Sequence, residues 1–89
     1  MTAHRQEIEI VNELGMHLRA AGALSQAAAK FSCDITILLD GKKANAKSIM
    51  SVLALGAAHG STLTIETSGA DAKEALDALC ELIARGFGE

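Results

Sequence analysis

Hydrophobic and polar residues alternate over two stretches of the chain. In residues 5–11, glutamates fall on one side while Ile8 and Ile10 fall on the other. In residues 61–67, Leu63 and Ile65 share one side in the same way. A period of two places one row of side chains against a core and the other row in solvent. The pattern therefore predicts two half-buried β-strands.

Two further strands are predicted as a hairpin in the middle of the chain. Residues 35–39 are rich in branched aliphatic side chains, and the more polar residues 42–46 follow after Asp40-Gly41. An Asp-Gly pair between two such runs is a strong signal for a tight turn. We therefore expect an antiparallel pair in which the second strand is polar.

Alanine content and helical spacing predict two helices in the first two thirds of the chain. Residues 18–30 are rich in alanine, the best helix former. Ser48 is a suitable N-cap for a short helix over residues 49–55, which ends near Gly56. The apolar face of the first helix consists of residues at helical spacing: Ala21, Leu24, Ala28 and Phe31.

A third helix is predicted near the end of the chain. It begins near Asp71, with Glu74 as the partner of a capping box, and it ends at Gly86. Its apolar stripe is formed by residues at helical spacing: Ala72, Ala75, Leu76, Leu79, Leu82 and Ile83. The order of elements is βαββαβα, which predicts an α+β fold of two layers, with a sheet covered on one face by helices.

Composition restricts the chain to one domain and to few classes of partner. The 89 residues suit a single domain over residues 1–89. A net charge of −3 and an aromatic content of 2% argue against a nucleic-acid partner. Neither a membrane-spanning stretch nor a signal-peptide pattern is evident, so we expect no membrane partner and a cytoplasmic protein.

The cysteines and most of the histidines fit structural roles. Cys33 and Cys80 are far apart and form no CxxC pair, so we interpret them as small buried side chains. His4 and His59 are interpreted as solvated surface residues. Three histidines and two cysteines scattered in this way show no metal-ligand spacing, and we predict neither a metal nor another cofactor.

The segment between the first strand and the first helix carries the chemistry that the residues themselves suggest. His17 lies at the predicted start of the helix, where free N–H groups and the helix dipole favour an anion such as phosphate. An imidazole nitrogen can attack a phosphoryl donor. Arg19 can donate charge-assisted hydrogen bonds to phosphoryl oxygens, and Gly15 leaves the approach to the ring uncrowded. A histidine capping a helix is the alternative interpretation of the same pattern.

Two motifs resemble those of HPr, the histidine-containing phosphocarrier of bacterial phosphotransferase systems. The first is Asn12-x-Leu14-Gly15-Met16-His17-x-Arg19, which is similar to the active-site segment of that family. The second lies in residues 46–56, Ala-Lys-Ser-Ile-Met-Ser-Val-Leu-Ala-Leu-Gly. The resemblance covers nearly the whole chain and implies an antiparallel four-stranded sheet with three helices on one face.

The resemblance implies a mechanism and a set of partners. HPr receives a phosphoryl group from phospho-enzyme I, which is charged by phosphoenolpyruvate, and donates it to an IIA domain. Carried over to this sequence, His17 is phosphorylated on the ring nitrogen nearer the backbone, with Arg19 as the active-site arginine. The loop residues Asn12, Gly15 and Leu18 support the phosphoryl group. The protein is then a carrier rather than an enzyme, and we expect a monomer.

The second motif implies docking and regulation. By resemblance, Ile49, Met50 and Leu53 form the exposed apolar patch that docks partners, although core packing is the alternative for this helix. Ser48 matches the serine that HPr kinase/phosphorylase modifies in some bacteria, which makes that enzyme a further possible partner; a plain helix cap is the alternative.

Two details bear on the branch of the family. The family usually has proline directly after the arginine, where this chain has Ala20. Alanine is a good helix former, so the helix should persist. Residues 82–89 and the Gly-Met-His segment resemble the nitrogen-related branch of HPr, which tends to regulate rather than to feed sugar uptake.

Two other functions compete with the phosphocarrier. The first is a regulatory module of HPr type that binds target proteins according to its phosphorylation state. The second is a small hydrolase of phosphoryl groups, which needs a residue that activates water beside the phosphate. Near His17 in the sequence, Asn12 and Glu13 are the residues available for that task.

Overall fold

The computed structural model describes residues 3–89; Met1 and Thr2, which belong to the predicted domain range, lie outside the described residues. The predicted order βαββαβα is confirmed, with one short 3₁₀ turn added at its end. The strands are β1 (Ala3–Glu9), β2 (Asp34–Leu39), β3 (Lys42–Asn45) and β4 (Thr62–Ser68). The helices are α1 (Leu18–Ala28), α2 (Ile49–Ala54), α3 (Ala72–Ala84) and the 3₁₀ turn Gly86–Gly88.

The four strands form one antiparallel sheet in the order β1-β4-β2-β3. Ile65 of β4 pairs with Gln6 of β1 on one side and with Ile37 of β2 on the other. These three residues therefore lie in one row across β1, β4 and β2. The hairpin of β2 and β3 turns at Asp40-Gly41, where both residues adopt positive φ, 50° and 81°. The sequence signal for the tight turn is thereby confirmed.

The core lies between the sheet and the helices and is almost entirely aliphatic. Burying each such side chain contributes about 1.5–3 kcal/mol. The two cysteines are free and buried, as predicted, and burial raises the pKa of both thiols. The largest fully buried apolar side chains are Ile10, Leu24, Ile37, Val52, Leu63, Ile65, Leu79 and Ile83.

The ends of the elements differ slightly from the predictions. The first strand ends at Glu9 rather than at residue 11. Ile10 N still donates to Ser61 O at 2.8 Å, in register with β4, but the Ser61 N–H donates to Ala58 O and Gly60 N donates to the carbonyl of Ile10, so regular pairing stops there. The first helix ends at Ala28, two residues before the predicted end. Leu82, placed in the apolar stripe of α3, is only half-buried, and so is His4, which we expected to be solvated.

The capping box predicted for α3 is wrong. Asp71 does precede the helix, but its side chain makes no hydrogen bond to the helix start. Its carboxylate instead accepts hydrogen bonds from the backbone N–H groups of Ser32 and Cys33, at 2.8 and 2.9 Å. These donors, chiefly Ser32, hold the pKa of the Asp71 carboxyl below its ordinary value. Asp71 therefore ties α3 to the loop before β2.

Candidate active site

His17 is the N-cap of α1 and presents its ring at the start of that helix. Its backbone is extended, with φ −80° and ψ 177°, and its carbonyl accepts the first intrahelical bond from Ala21 N at 2.9 Å. The side chain keeps 28% of its surface exposed. The ring is therefore both anchored by the helix and open to a partner.

The contacts of the two ring nitrogens differ and assign their roles. The N–H of Arg19 donates to Nδ1 of His17 at 3.2 Å, so Nδ1 is an acceptor with its lone pair directed at the helix start. Nε2 lies in contact with a carboxylate oxygen of Glu89 and is the donor in that pair. The hydrogen on Nε2 follows from these partners, because the identity of the protonated nitrogen is set by what the other nitrogen contacts.

Glu89 reaches the ring through an unusual run of backbone. Three consecutive residues after α3 have positive φ: 66° at Gly86, 60° at Phe87 and 77° at Gly88. This left-handed turn returns the chain to the loop before α1, where Gly86 packs on Asn12. The hydrogen bond from His17 is the main cause that lowers the pKa of the Glu89 carboxyl, with smaller contributions from Asn12 and Arg19.

Asn12 links this turn to the loop that carries His17. Its side-chain N–H₂ group donates to the carbonyl of Gly15 at 2.7 Å and to Glu89 Oε1 at 3.3 Å. The residue is buried, with 6% of its surface exposed. Asn12 therefore positions the loop and the carboxylate together, and its part in supporting a phosphoryl group stays a prediction.

Gly15 is required by a close backbone approach. Its φ is +67°, and a Cβ added there would lie 2.8 Å from both the carbonyl oxygen of Ala57 and the Cα of Ala58. The neighbouring Met16 N–H donates to that same carbonyl of Ala57 at 2.9 Å. Glycine at this position therefore lets two loops touch, and its predicted place in the loop that supports the phosphoryl group stays a prediction.

The start of α1 is where the sequence predicts an anion site. The N–H groups of the first turn have no partner within a helix, and the helix dipole favours negative charge there. Leu18 opens the helix with its side chain 66% exposed, and the exposed Arg19 follows. Arg19 contributes both its backbone N–H to His17 and a positive charge that is felt at Glu89.

Large apolar side chains are exposed at the start of α2 and in the segment that carries His17. Met50 is 73% exposed and Ile49 is 38% exposed at the start of α2, whereas Leu53 is half-buried against the core. Leu14 and Leu18, which flank His17 in the chain, are 73% and 66% exposed. The predicted patch on α2 is therefore open at Ile49 and Met50, and Leu53 contributes only an edge.

Comparison with known proteins identifies the family. A sequence model described as "PTS HPr component phosphorylation site" matches residues 4–85. The chain belongs to the HPr family. Members of this family are phosphocarriers of the phosphotransferase system, so the resemblance noted from the two motifs is confirmed.

The HPr relatives match over nearly the full length. The chain is 46% identical to the phosphocarrier protein HPr of Cupriavidus necator, with 96% of each chain covered. It is 42% identical to the phosphocarrier protein NPr of Shewanella violacea, with 100% of this chain and 98% of that protein covered. The crystal structure of HPr from Thermoanaerobacter tengcongensis superposes with a TM-score of 0.93 at 43% identity and covers 97% of both chains.

These relatives bear on two further predictions. Both names, HPr and NPr, occur among proteins of similar identity, so assignment to the nitrogen-related branch stays a prediction. A solved HPr dimer from Thermoanaerobacter tengcongensis is also similar, with a TM-score of 0.79, 45% identity, and 92% and 94% of the two chains covered. The monomer therefore also stays a prediction. Within residues 3–89, no helix is long and apolar enough to cross a membrane.

Ala20 departs from the HPr pattern and Ser48 matches it, and both lie at the start of a helix. Ala20, which replaces the usual proline, is fully inside the first turn of α1 and 1% exposed, so the helix persists as expected. Ser48 is the N-cap of α2, and its hydroxyl accepts from Ser51 N at 3.3 Å. The capping function of Ser48 is confirmed.

Glu89 is the site residue that sequence reasoning missed. Seventy-two positions separate it from His17 in the chain, and no local periodicity relates the two. The available signal was the Gly86-Phe87-Gly88 segment, because two glycines after a helix permit the left-handed turn that brings Glu89 back.

Proposed function

We propose that this protein carries a phosphoryl group on Nδ1 of His17. It receives the group from phospho-enzyme I, which is charged by phosphoenolpyruvate, and donates it to an IIA domain of a sugar-type or nitrogen-type phosphotransferase system. The observation that supports this most directly is the orientation of the ring: Nδ1 is the acceptor nitrogen and faces the N–H groups of the first turn of α1.

The transfer step follows from that orientation. The lone pair of Nδ1 forms a bond to phosphorus while the bond between phosphorus and the donor's atom breaks, and that electron pair stays with the donor. The incoming oxygens replace His17 as acceptors for the N–H of Arg19 and meet the positive end of the helix dipole. Onward transfer is the same step in reverse toward a new acceptor, so the protein ends each cycle unchanged and has no substrate turnover of its own.

The exposed apolar residues fit the docking of partners. Ile49 and Met50 on α2 lie open to solvent, and Leu14 and Leu18 extend the apolar surface next to the ring. We expect enzyme I and IIA domains to use this surface in turn. A carrier must release each partner, so the interface should be small, under about 1,200 Å² in total.

The test is labelling with enzyme I and labelled phosphoenolpyruvate. The parent should gain an acid-labile, base-stable label, as a phosphoramidate on imidazole requires. His17→Ala should gain none while keeping the circular dichroism spectrum of the parent. His59→Ala, a change at an exposed histidine on the loop after α2, is the matched control and should label fully. Labelling of His17→Ala to the level of the parent would overturn the proposal.

A further inference from the structure

The pairing of His17 with Glu89 places a carboxylate against the ring nitrogen that does not take part in transfer. The lone pairs of Nδ1 and Nε2 point away from each other around the imidazole. Glu89 on the Nε2 side therefore leaves the Nδ1 side free for phosphorus. The same geometry keeps the carboxylate from activating a water molecule at Nδ1, which argues against the hydrolase.

The carboxylate is held in place rather than only close by. Asn12 donates to its Oε1 at 3.3 Å while it also binds the carbonyl of Gly15. The left-handed turn over residues 86–88 restricts the path of the chain that carries Glu89. The side chain keeps 23% of its surface exposed, so contact with the ring is partly shielded from solvent.

Phosphorylation at Nδ1 changes the charge of the ring and makes the proton on Nε2 important. A neutral imidazole that attacks through Nδ1 while it retains a hydrogen on Nε2 becomes positively charged. In the opposite direction, the ring departs as neutral imidazole only if Nε2 still carries that hydrogen. A deprotonated ring would have to leave as an imidazolate, which is a much poorer leaving group. Transfer in both directions therefore benefits from a fixed proton on Nε2.

We propose that the Glu89 carboxylate, held by Asn12, keeps the proton on Nε2 of His17 throughout the phosphoryl-transfer cycle. Glu89 is thus a positioning residue that acts through His17, and the inference rests on the proposed function. In each step the N–P bond at Nδ1 forms or breaks, and no proton enters or leaves the site.

Within residues 3–89, the hydrogen bonds and ion pairs of Nε2 of His17 go to Glu89. Glu13 precedes the ring in the loop, Arg19 follows it on α1, and His59 lies on the loop after α2. Arg19 has the opposite sign and faces the phosphoryl side through its N–H. The hydrogen bond from His17 is the largest cause that keeps the Glu89 pKa low, so the carboxylate is ionised at neutral pH.

The experiment compares phosphorylated parent, Glu89→Gln, Glu89→Ala and Glu81→Gln. The last removes the same charge from an exposed site on α3 and is the matched control. Phosphorus NMR across a pH series reports the midpoint at which the phosphorylated ring loses its Nε2 proton. We expect parent and Glu81→Gln to share one midpoint. In Glu89→Ala, this midpoint should be lower by about one pH unit, which corresponds to a tenfold loss of proton affinity.

Glu89→Gln separates charge from hydrogen bonding. Its amide oxygen can still accept from Nε2, so its midpoint should lie between those of the parent and Glu89→Ala. Onward transfer from Glu89→Ala to an IIA domain should be slower than from the parent by about tenfold at pH 8. The difference should narrow at pH 6, where solvent supplies the proton. A purely structural effect of the substitution would slow transfer equally at both pH values.

Identical midpoints in all four proteins would overturn the inference while leaving the phosphocarrier proposal standing. If enzyme I fails to label the parent, the proposed function fails instead. The same four proteins can then be loaded with phosphoramidate, a small phosphoryl donor, and compared by the same NMR series. A phosphoryl group found on Nε2 by nitrogen NMR would overturn both.

Discussion

Replacing Gly15 by alanine tests whether the loop that carries His17 is set by a backbone contact. Gly15 has φ +67°, and its added Cβ would lie 2.8 Å from both Ala57 O and Ala58 Cα. Both neighbours are backbone atoms, so no side chain can rotate out of the way. The loops must therefore separate, and the bond from Met16 N to Ala57 O, now 2.9 Å, should lengthen.

The expected loss can be built from three contributions. A left-handed backbone costs a non-glycine residue about 1–2 kcal/mol, partly offset by about 0.4–1 kcal/mol through the unfolded chain. Inserting a methyl group into a packed contact adds about 1–3 kcal/mol. Weakening the Met16 hydrogen bond adds up to about 1 kcal/mol. We therefore expect Gly15→Ala to lower the free energy of unfolding by about 2–4 kcal/mol.

Gly56→Ala is the matched control. Gly56 has the same φ of +67°, but a Cβ there meets nothing within 4 Å. Its substitution should therefore cost only the backbone contribution, about 1 kcal/mol. Urea unfolding of parent and both variants measures the difference. Equal losses for Gly15→Ala and Gly56→Ala would refute the argument that the two loops are in forced contact. Charging of His17 by enzyme I should slow in Gly15→Ala even where the fold persists.

Four further changes test the site and its support. Arg19→Ala should slow the charging of His17 by about tenfold to a hundredfold in rapid-quench assays, because hydrogen bonds to charged groups are worth about 1.5–3 kcal/mol. Met50→Glu should weaken binding to enzyme I by calorimetry with little change in Tm, since the side chain is exposed. Ser48→Asp should keep α2 intact by circular dichroism, because the helix start favours a negative charge, but charging should slow. Asp71→Ala should lower Tm at pH 7, and the gap to the parent should shrink below about pH 4. The pKa of the Asp71 carboxyl is lower in the folded protein than in the unfolded chain. Its stabilisation is therefore present at a pH above the unfolded-state pKa and is lost as the pH falls through the folded-state pKa.

Each of these four predictions has an outcome that would contradict it. An unchanged rate in Arg19→Ala would show that backbone N–H groups alone hold the phosphoryl group. Chemical-shift mapping that places enzyme I on the open face of the sheet would contradict the docking surface tested by Met50→Glu. Gln26→Glu adds the same charge at an exposed position of α1 and is the control. If enzyme I charges His17 of Ser48→Asp as fast as it charges the parent, Ser48 acts only as the cap of α2. A Tm gap for Asp71→Ala that persists at low pH would contradict the carboxylate's contribution.

The order of elements could be predicted because each depends on local periodicity. The alternation of Leu63 and Ile65 with polar residues and the helical spacing of Ala75 and Leu79 are local patterns, and both pairs are buried as predicted. The ends of elements depend on hydrogen bonds to distant segments. Regular pairing stops after Glu9 because the Ser61 N–H donates to Ala58 O within its own turn, which no pattern within the first strand reveals.

The failed capping box shows the same limit at a single side chain. The spacing of Asp71 and Glu74 fits a local motif, but two backbone donors from residues 32 and 33 compete for the same carboxylate. A local motif predicts the interaction a residue can make, whereas the tertiary fold decides which one is made. The prediction that Ser48 caps α2 succeeded because its hydroxyl bonds within its own helix.

The distribution of exposed apolar residues connects the fold to a transient carrier. Within residues 3–89, the exposed large apolar side chains lie in the loop before α1 and at the starts of α1 and α2, namely Val11, Leu14, Leu18, Ile49 and Met50. The sheet contributes none of them, and its outward positions include the ion pair of Arg5 with Glu66 at 3.1 Å. An apolar surface of only a few exposed side chains is suited to a small, transient interface of the kind that the proposed function requires. On the proposed function, successive partners would compete for this one surface, and Met50→Glu should therefore weaken the binding of enzyme I and of an IIA domain alike.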